Sequence, residues 1–226
     1  MQLLEVHLQT SDLSAQRAFY SGVLGLPVHA DNPERLLVQI GTTALVFERA
    51  AAALAGPYHL AFNIPPRQFS AAADWLSARV PLLPNGQERL FRSSPGWNAQ
   101  MMYFLDPAGN ILELIARHAL PGSSPEDDAF GPQSLLCVSE VGLAVEDVEA
   151  SARELAAVLG LAPYQETSDT FKPLGDEHGL LIVVASGRPW FPTTRAAFPL
   201  PLKVLAVTPG TGRVARSSAE IVGQPE

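Results

Sequence analysis

The chain has 226 residues, 47% of them apolar, and a net charge of −8. That length and composition suffice to bury one large core or two small ones, and the acidic balance excludes a nucleic-acid or anionic-membrane surface. A single cysteine, Cys137, excludes an internal disulfide and fits a reducing cytoplasm. Its apolar neighbours SLLCV make it a packing residue rather than a nucleophile. No basic leader and no apolar run of spanning length occurs, so the expectation is a cytoplasmic protein with no membrane partner.

From the N-terminus, LLEVHLQT alternates, with Leu4, Val6 and Leu8 on one face and Glu5, His7 and Gln9 on the other. Asp12 is placed to cap a helix that ends at Gly25, and Pro27 prevents its continuation. Strands are predicted at Val28–Ala30, Arg35–Ile40 and Thr43–Glu48, which gives β-α-β-β-β. The order recurs. PYHLAFNIP is a strand carrying His59, the stretch 67–80 has helical periodicity, and strands follow near Glu88–Phe91, Gln100–Leu105 and Asn110–Ala116. Between the last two, Asp106-Pro107-Ala108-Gly109-Asn110 has the residue types of a tight turn. Just beyond it, Glu113 sits inside the apolar run ILELIA, where a carboxylate is costly unless its charge is compensated.

Residues 118–133 are rich in Pro, Gly, Ser and Asp and read as a linker. A third unit follows, over 134–207, and here the repeat is visible residue by residue. DLSAQRAFYSGVLGLP lies over DVEASARELAAVLGLAP at an offset of 135, which also carries His7 onto Gly142 and Glu5 onto Glu140. The third unit therefore keeps the scaffold and lacks the histidine. Residues 208–226 read as a loose tail. With an odd number of units, the third is expected to find its partner in a second subunit, making a homodimer.

The fold class is thus α+β, built from repeated βαβββ units. This pattern resembles the vicinal-oxygen-chelate superfamily, which includes glyoxalase, bleomycin-resistance, fosfomycin-resistance and extradiol ring-cleaving dioxygenase proteins, and the resemblance implies that the first two units (1–117) form a half-open cup. In that family the metal ligands project from the first strand of each unit and from a late strand. The resemblance implies His7, His59 and Glu113 as ligands, at spacings of 52 and 54 residues. Tyr103, Asp106, Pro107, Gly109 and Glu113 also match the ring-cleaving signature, although Ser94-Pro95-Gly96 stand where its histidine belongs. Two imidazoles and a carboxylate suit a divalent ion, Fe(II) or Mn first and Zn or Ni next. The implied function is metal-dependent chelation of a small substrate's vicinal oxygens, with Tyr103 as the catalytic hydrogen-bond donor. A metal-free binder of the bleomycin-resistance kind and a fosfomycin-type transferase are the alternatives. Trp190 and Phe191 are expected to pack the third unit or a subunit seam, and His178 to be a solvated turn residue.

Overall fold

The computed structural model describes residues 1–120, 129–216 and 218–225, so much of the predicted linker lies outside the described residues. The first unit is β1 (Gln2–Thr10), helix α1 (Leu13–Arg17) continued by a π-turn over Ala18–Val23, β2 (Val28–Asn32), β3 (Arg35–Ile40) and β4 (Thr43–Arg49). The second is β5 (His59–Asn63), α2 (Phe69–Ser77), β6 (Phe91–Arg92), β7 (Ala99–Leu105) and β8 (Ile111–Arg117). The third is β9 (Cys137–Val145), α3 (Val148–Leu159), β10 (Phe171–Asp176) and β11 (Gly179–Ala185). Repeat-equivalent aspartates cap repeat-equivalent helices: Asp12 accepts from the Ala15 amide and Asp147 from the Ala150 amide, both at 2.9 Å. Gly160 ends α3 at φ +67°, where a side chain would be strained.

The C-terminal stretch corrects the expected loose tail. It forms β12 (Leu202–Val207), β13 (Gly212–Ala215) and β14 (Ala219–Gln224), a fourth unit without a helix. β12 runs parallel to β14, and β13 pairs antiparallel with it, repeating the β1–β4–β3 ladder. Only alternate residues such as Val214, Ala219 and Ile221 are buried, so the apolar signal in the sequence is thin. Helix α3 serves the fourth unit in place of a helix of its own. A Cβ on Gly212 would lie 2.6 Å from Val158, and one on Gly223 would lie 2.7 Å from Leu159.

The strands form two seven-stranded sheets. Sheet I runs β13-β14-β12-β1-β4-β3-β2 and sheet II runs β10-β11-β9-β5-β8-β7-β6. The first unit therefore joins the fourth, and the second joins the third, through antiparallel pairing of their first strands: β1 with β12, and β5 with β9. This corrects the expected cup over residues 1–117. It also removes the reason for seeking the third unit's partner in another subunit. A repeat dictates the fold of each unit but not which unit it pairs with.

The main core lies where both sheets and the helices meet. Leu3, Val6 and Leu8 of β1 and Leu60 and Phe62 of β5 are buried there with Tyr20, Leu76 and Leu155. Polar bonds also cross between the sheets. The Thr43 hydroxyl donates to the Leu3 carbonyl at 2.8 Å and accepts from the Val138 amide at 3.1 Å. No described helix is long and apolar enough to cross a membrane.

Candidate metal centre

The predicted turn forms as read. Asp106 accepts from the Asn110 amide at 2.9 Å and its side chain at 2.7 Å, and Gly109 adopts φ +78°. Gln16 also donates to Asp106 at 3.0 Å, which ties the turn to the first unit. The hairpin fixes β7 against β8 with Tyr103 directly opposite Glu113.

Register then assembles the site. On β5, Ala61 lies opposite Glu113 of β8 on one side and opposite Glu140 of β9 on the other. His59, two residues earlier on β5, shares the face of Ala61 because side chains alternate along a strand. The small Ala61 side chain leaves the space between the two carboxylates open. His59, Glu113 and Glu140 are all buried, and each offers a ligand atom within 4.8 Å of the others. His59 Nε2 lies 3.6 Å from a Glu113 oxygen and 3.8 Å from a Glu140 oxygen. Ligands about 2.1 Å from one ion at a tetrahedral angle stand ~3.4 Å apart, so these separations suit a shared cation.

The outer contacts orient the three groups. His59 Nδ1 donates to the Ile111 carbonyl at 3.2 Å, so in the neutral imidazole the lone pair is on Nε2, the atom that faces the carboxylates. Burial, and then the charge of Glu140, push the Glu113 carboxyl well above its ordinary range; Arg117 and a hydrogen bond from Tyr103 oppose that. Burial and the two carboxylates likewise raise the Tyr103 hydroxyl well above the usual phenol. Arg117 is wholly buried, donates to Glu140, and donates from Nε to Asn63 at 3.3 Å. Two carboxylates against one guanidinium leave the cluster with one uncompensated negative charge, which a divalent ion would offset.

His7 is not in this group, which corrects the expected ligand set. It lies on sheet I, where Nε2 is 2.9 Å from Glu5 and Nδ1 is 3.4 Å from Glu48, and it pairs in register with Lys203. Its equivalence to His59 is nonetheless real. Gln9, two residues on, lies opposite Glu48, just as Ala61 lies opposite Glu113. Because the second unit pairs with the third, the third member of the cluster is Glu140, the repeat counterpart of Glu5. Its signal was present: Glu140 sits in the apolar run CVSEVGLAV, as Glu113 sits in ILELIAR, and the same cost of burying a carboxylate applies.

The cluster opens into a cavity of about 290 Å³ with aromatic walls. Trp190 and Phe191 line it, and Trp190 is also buried against Ala144, Leu180 and Ile182 of the third unit, the packing expected of it. The Trp190 indole stacks on His59 at 5.0 Å and covers Gly142, where a Cβ would come within 2.6 Å of the ring. Phe191 packs edge-on to Tyr103 at 5.4 Å and to Phe91 at 5.1 Å. Trp97 and Ser94 also line the cavity, and the Ser94 hydroxyl is buried without a partner. Elsewhere, His178, His29 and His118 are exposed as expected.

No family model matches the sequence, and no curated protein matches it. Solved structures do match the fold. A "putative dioxygenase" from Bacillus subtilis subsp. subtilis str. 168 aligns over 100% of this chain and 86% of its own, at TM-score 0.64 and 18% identity. Glyoxalase I from Zea mays aligns over 98% of this chain and 91% of its own, at TM-score 0.60 and 15% identity. The repeated units, the two curved sheets and these likenesses agree: the chain has the vicinal-oxygen-chelate fold of the glyoxalase and dioxygenase proteins.

Proposed function

We propose that the protein is a metal-dependent enzyme acting on a small molecule that presents two adjacent oxygens, with ring-cleaving oxygenation of an aromatic diol as the leading reaction. One observation carries this reading. Three acceptors, His59 Nε2 and the Glu113 and Glu140 carboxylates, converge within 4.8 Å, and the imidazole proton is committed elsewhere. Lone pairs so arranged repel one another unless a cation lies between them.

The donor set of one nitrogen and two carboxylates is harder than two histidines and one carboxylate, which favours Mn(II) or Fe(II) over Zn(II) or Ni(II). Such an ion supplies Lewis acidity and coordination positions open to substrate oxygens. The chain's own residues do the rest. His59, Glu113 and Glu140 would hold the ion. Tyr103 fixes the Glu113 carboxylate and keeps its proton at working pH, so it can donate to a substrate oxygen. Trp190 prevents rotation of the imidazole, and the aromatic walls exclude water and offer faces to a planar ring.

The test is reconstitution of chelator-treated protein with Mn(II) or Fe(II) under exclusion of other metals. Binding near one ion per chain, and oxygen uptake matched to loss of a catechol, are expected. Absence of any divalent binding would overturn the reading. It would favour a metal-free binder of the bleomycin-resistance kind, for which the Arg117–Glu140 pair speaks because it already neutralises one carboxylate.

A further inference from the structure

We infer that Arg188 makes this cavity selective for a ring that bears an anionic substituent such as a carboxylate, an inference that rests on the diol-chelating reading above. Arg188 sits in the segment after β11 that also brings Trp190 and Phe191 to the cavity. Its backbone is pinned on both sides. The Arg188 amide donates to the Ala185 carbonyl at 3.1 Å, and the Arg188 carbonyl accepts from the Ala197 amide at 2.8 Å. The side chain therefore projects from a fixed base.

The guanidinium lies 5.0 Å over the Phe171 ring and donates to the Pro189 carbonyl at 3.3 Å. No described carboxylate pairs with it, although the chain has an excess of acidic residues. Burial shifts its pKa below the ordinary arginine value, the mark of a cation that has lost water without gaining a counter-ion. Of the carboxylates that line the cavity, Glu113 contacts His59, Glu140 pairs with Arg117, and no ion pair joins Glu166 to Arg188 among the described residues. A fork of N–H donors beside aromatic faces fits a planar carboxylate, which an arginine can bind through two parallel bonds. The same cavity thus has a place for adjacent oxygens at its base and a cation at its wall, spanned by aromatic rings that suit one flat ring between them.

Quenching of tryptophan fluorescence reads binding directly, since Trp97 and Trp190 line the cavity. The probes are catechol, 3,4-dihydroxybenzoate and benzoate, with Mn(II)-loaded and metal-free protein. The dihydroxybenzoate is expected to bind the loaded protein about ten- to hundredfold more tightly than catechol, the range of a charge-assisted contact. Arg188→Gln should erase that advantage and leave catechol affinity unchanged, and Arg188→Lys should restore part of it. Equal affinity for the two diols would overturn the inference and leave the chelating reading intact, as would equal weakening of both by Arg188→Gln. If neither diol binds but benzoate binds metal-free protein in an Arg188-dependent way, the chelating reading falls and the anion anchor stands. Failure of all three probes overturns both.

Discussion

Arg117 reaches from β8 across the width of β5 to Glu140 on β9, and the two form an ion pair wholly inside the protein. Their attraction offsets the cost of removing two charges from water, so each is a liability without the other. Arg117→Met should destabilise the metal-free protein by about 3–5 kcal/mol, because it strands a buried carboxylate. The double variant Arg117→Met/Glu140→Leu should recover much of that loss. Urea unfolding of the four members of the cycle checks it; additive losses would mean that the pair is not coupled.

The ligand assignment separates two histidines that look alike in sequence. Glu140→Gln, Glu113→Gln and His59→Ala should each weaken divalent binding by more than about a hundredfold, since even groups behind a ligand are worth ~10–100-fold. His7→Ala should leave it unchanged, because His7 belongs to sheet I. Calorimetric titration with Mn(II) distinguishes them. Loss of binding in His7→Ala with retention in Glu140→Gln would reverse the assignment.

Much of this was legible in the letters. Turn chemistry at Asp106-Pro107-Ala108-Gly109-Asn110, the paired caps Asp12 and Asp147, and the offset between the first and third units gave the βαβββ scaffold. Glu113 stands out because a carboxylate inside an apolar strand demands a partner, and His59 because the family resemblance puts a ligand on the first strand of a unit. Pairing between units was not legible. It is set by which first strands meet at the sheet centre, and periodicity within a strand carries no information about that choice. For this reason the sequence groups His7 with His59 and Glu113, whereas the burial cost of Glu140 inside CVSEVGLAV is a signal the letters do carry. Arg117 and Arg188 were missed because a terminal or loop arginine looks solvated until the fold encloses it.

The C-terminal strands are structural, so their removal should be disabling. Deleting residues 210–226 would take away β14, the parallel partner of β12, and uncover α3 where Val158 and Leu159 pack. An unpaired edge and an exposed apolar helix face promote aggregation. The shortened chain should be insoluble or lose cooperative unfolding. A monodisperse product with an unchanged thermal midpoint would return this segment to the status of a tail.

Cys137 should be chemically quiet. Burial, opposed in part by Asn63 and Arg117, pushes its thiol up to about 11. The thiolate is the reactive form, and below that value only a small fraction exists. Labelling of the native protein by a thiol reagent at pH 8 should be far slower than in denaturant, and its rate should climb steeply only as the pH approaches 11. Rapid labelling of the native protein at neutral pH would show that the cysteine is accessible.

The two sheets differ in how far apart in the chain their members lie. Sheet II draws on consecutive units, so its central contact between β5 and β9 closes a loop of modest length. Sheet I joins β1 near one end to β12 and β14 near the other, and the entropy of closing that loop is larger. The half of the molecule that holds His59, Glu113 and Glu140 can therefore assemble first, as a template. The half that joins the two ends would dock onto it last, so loss of the terminal strands should be felt at the ion position only indirectly.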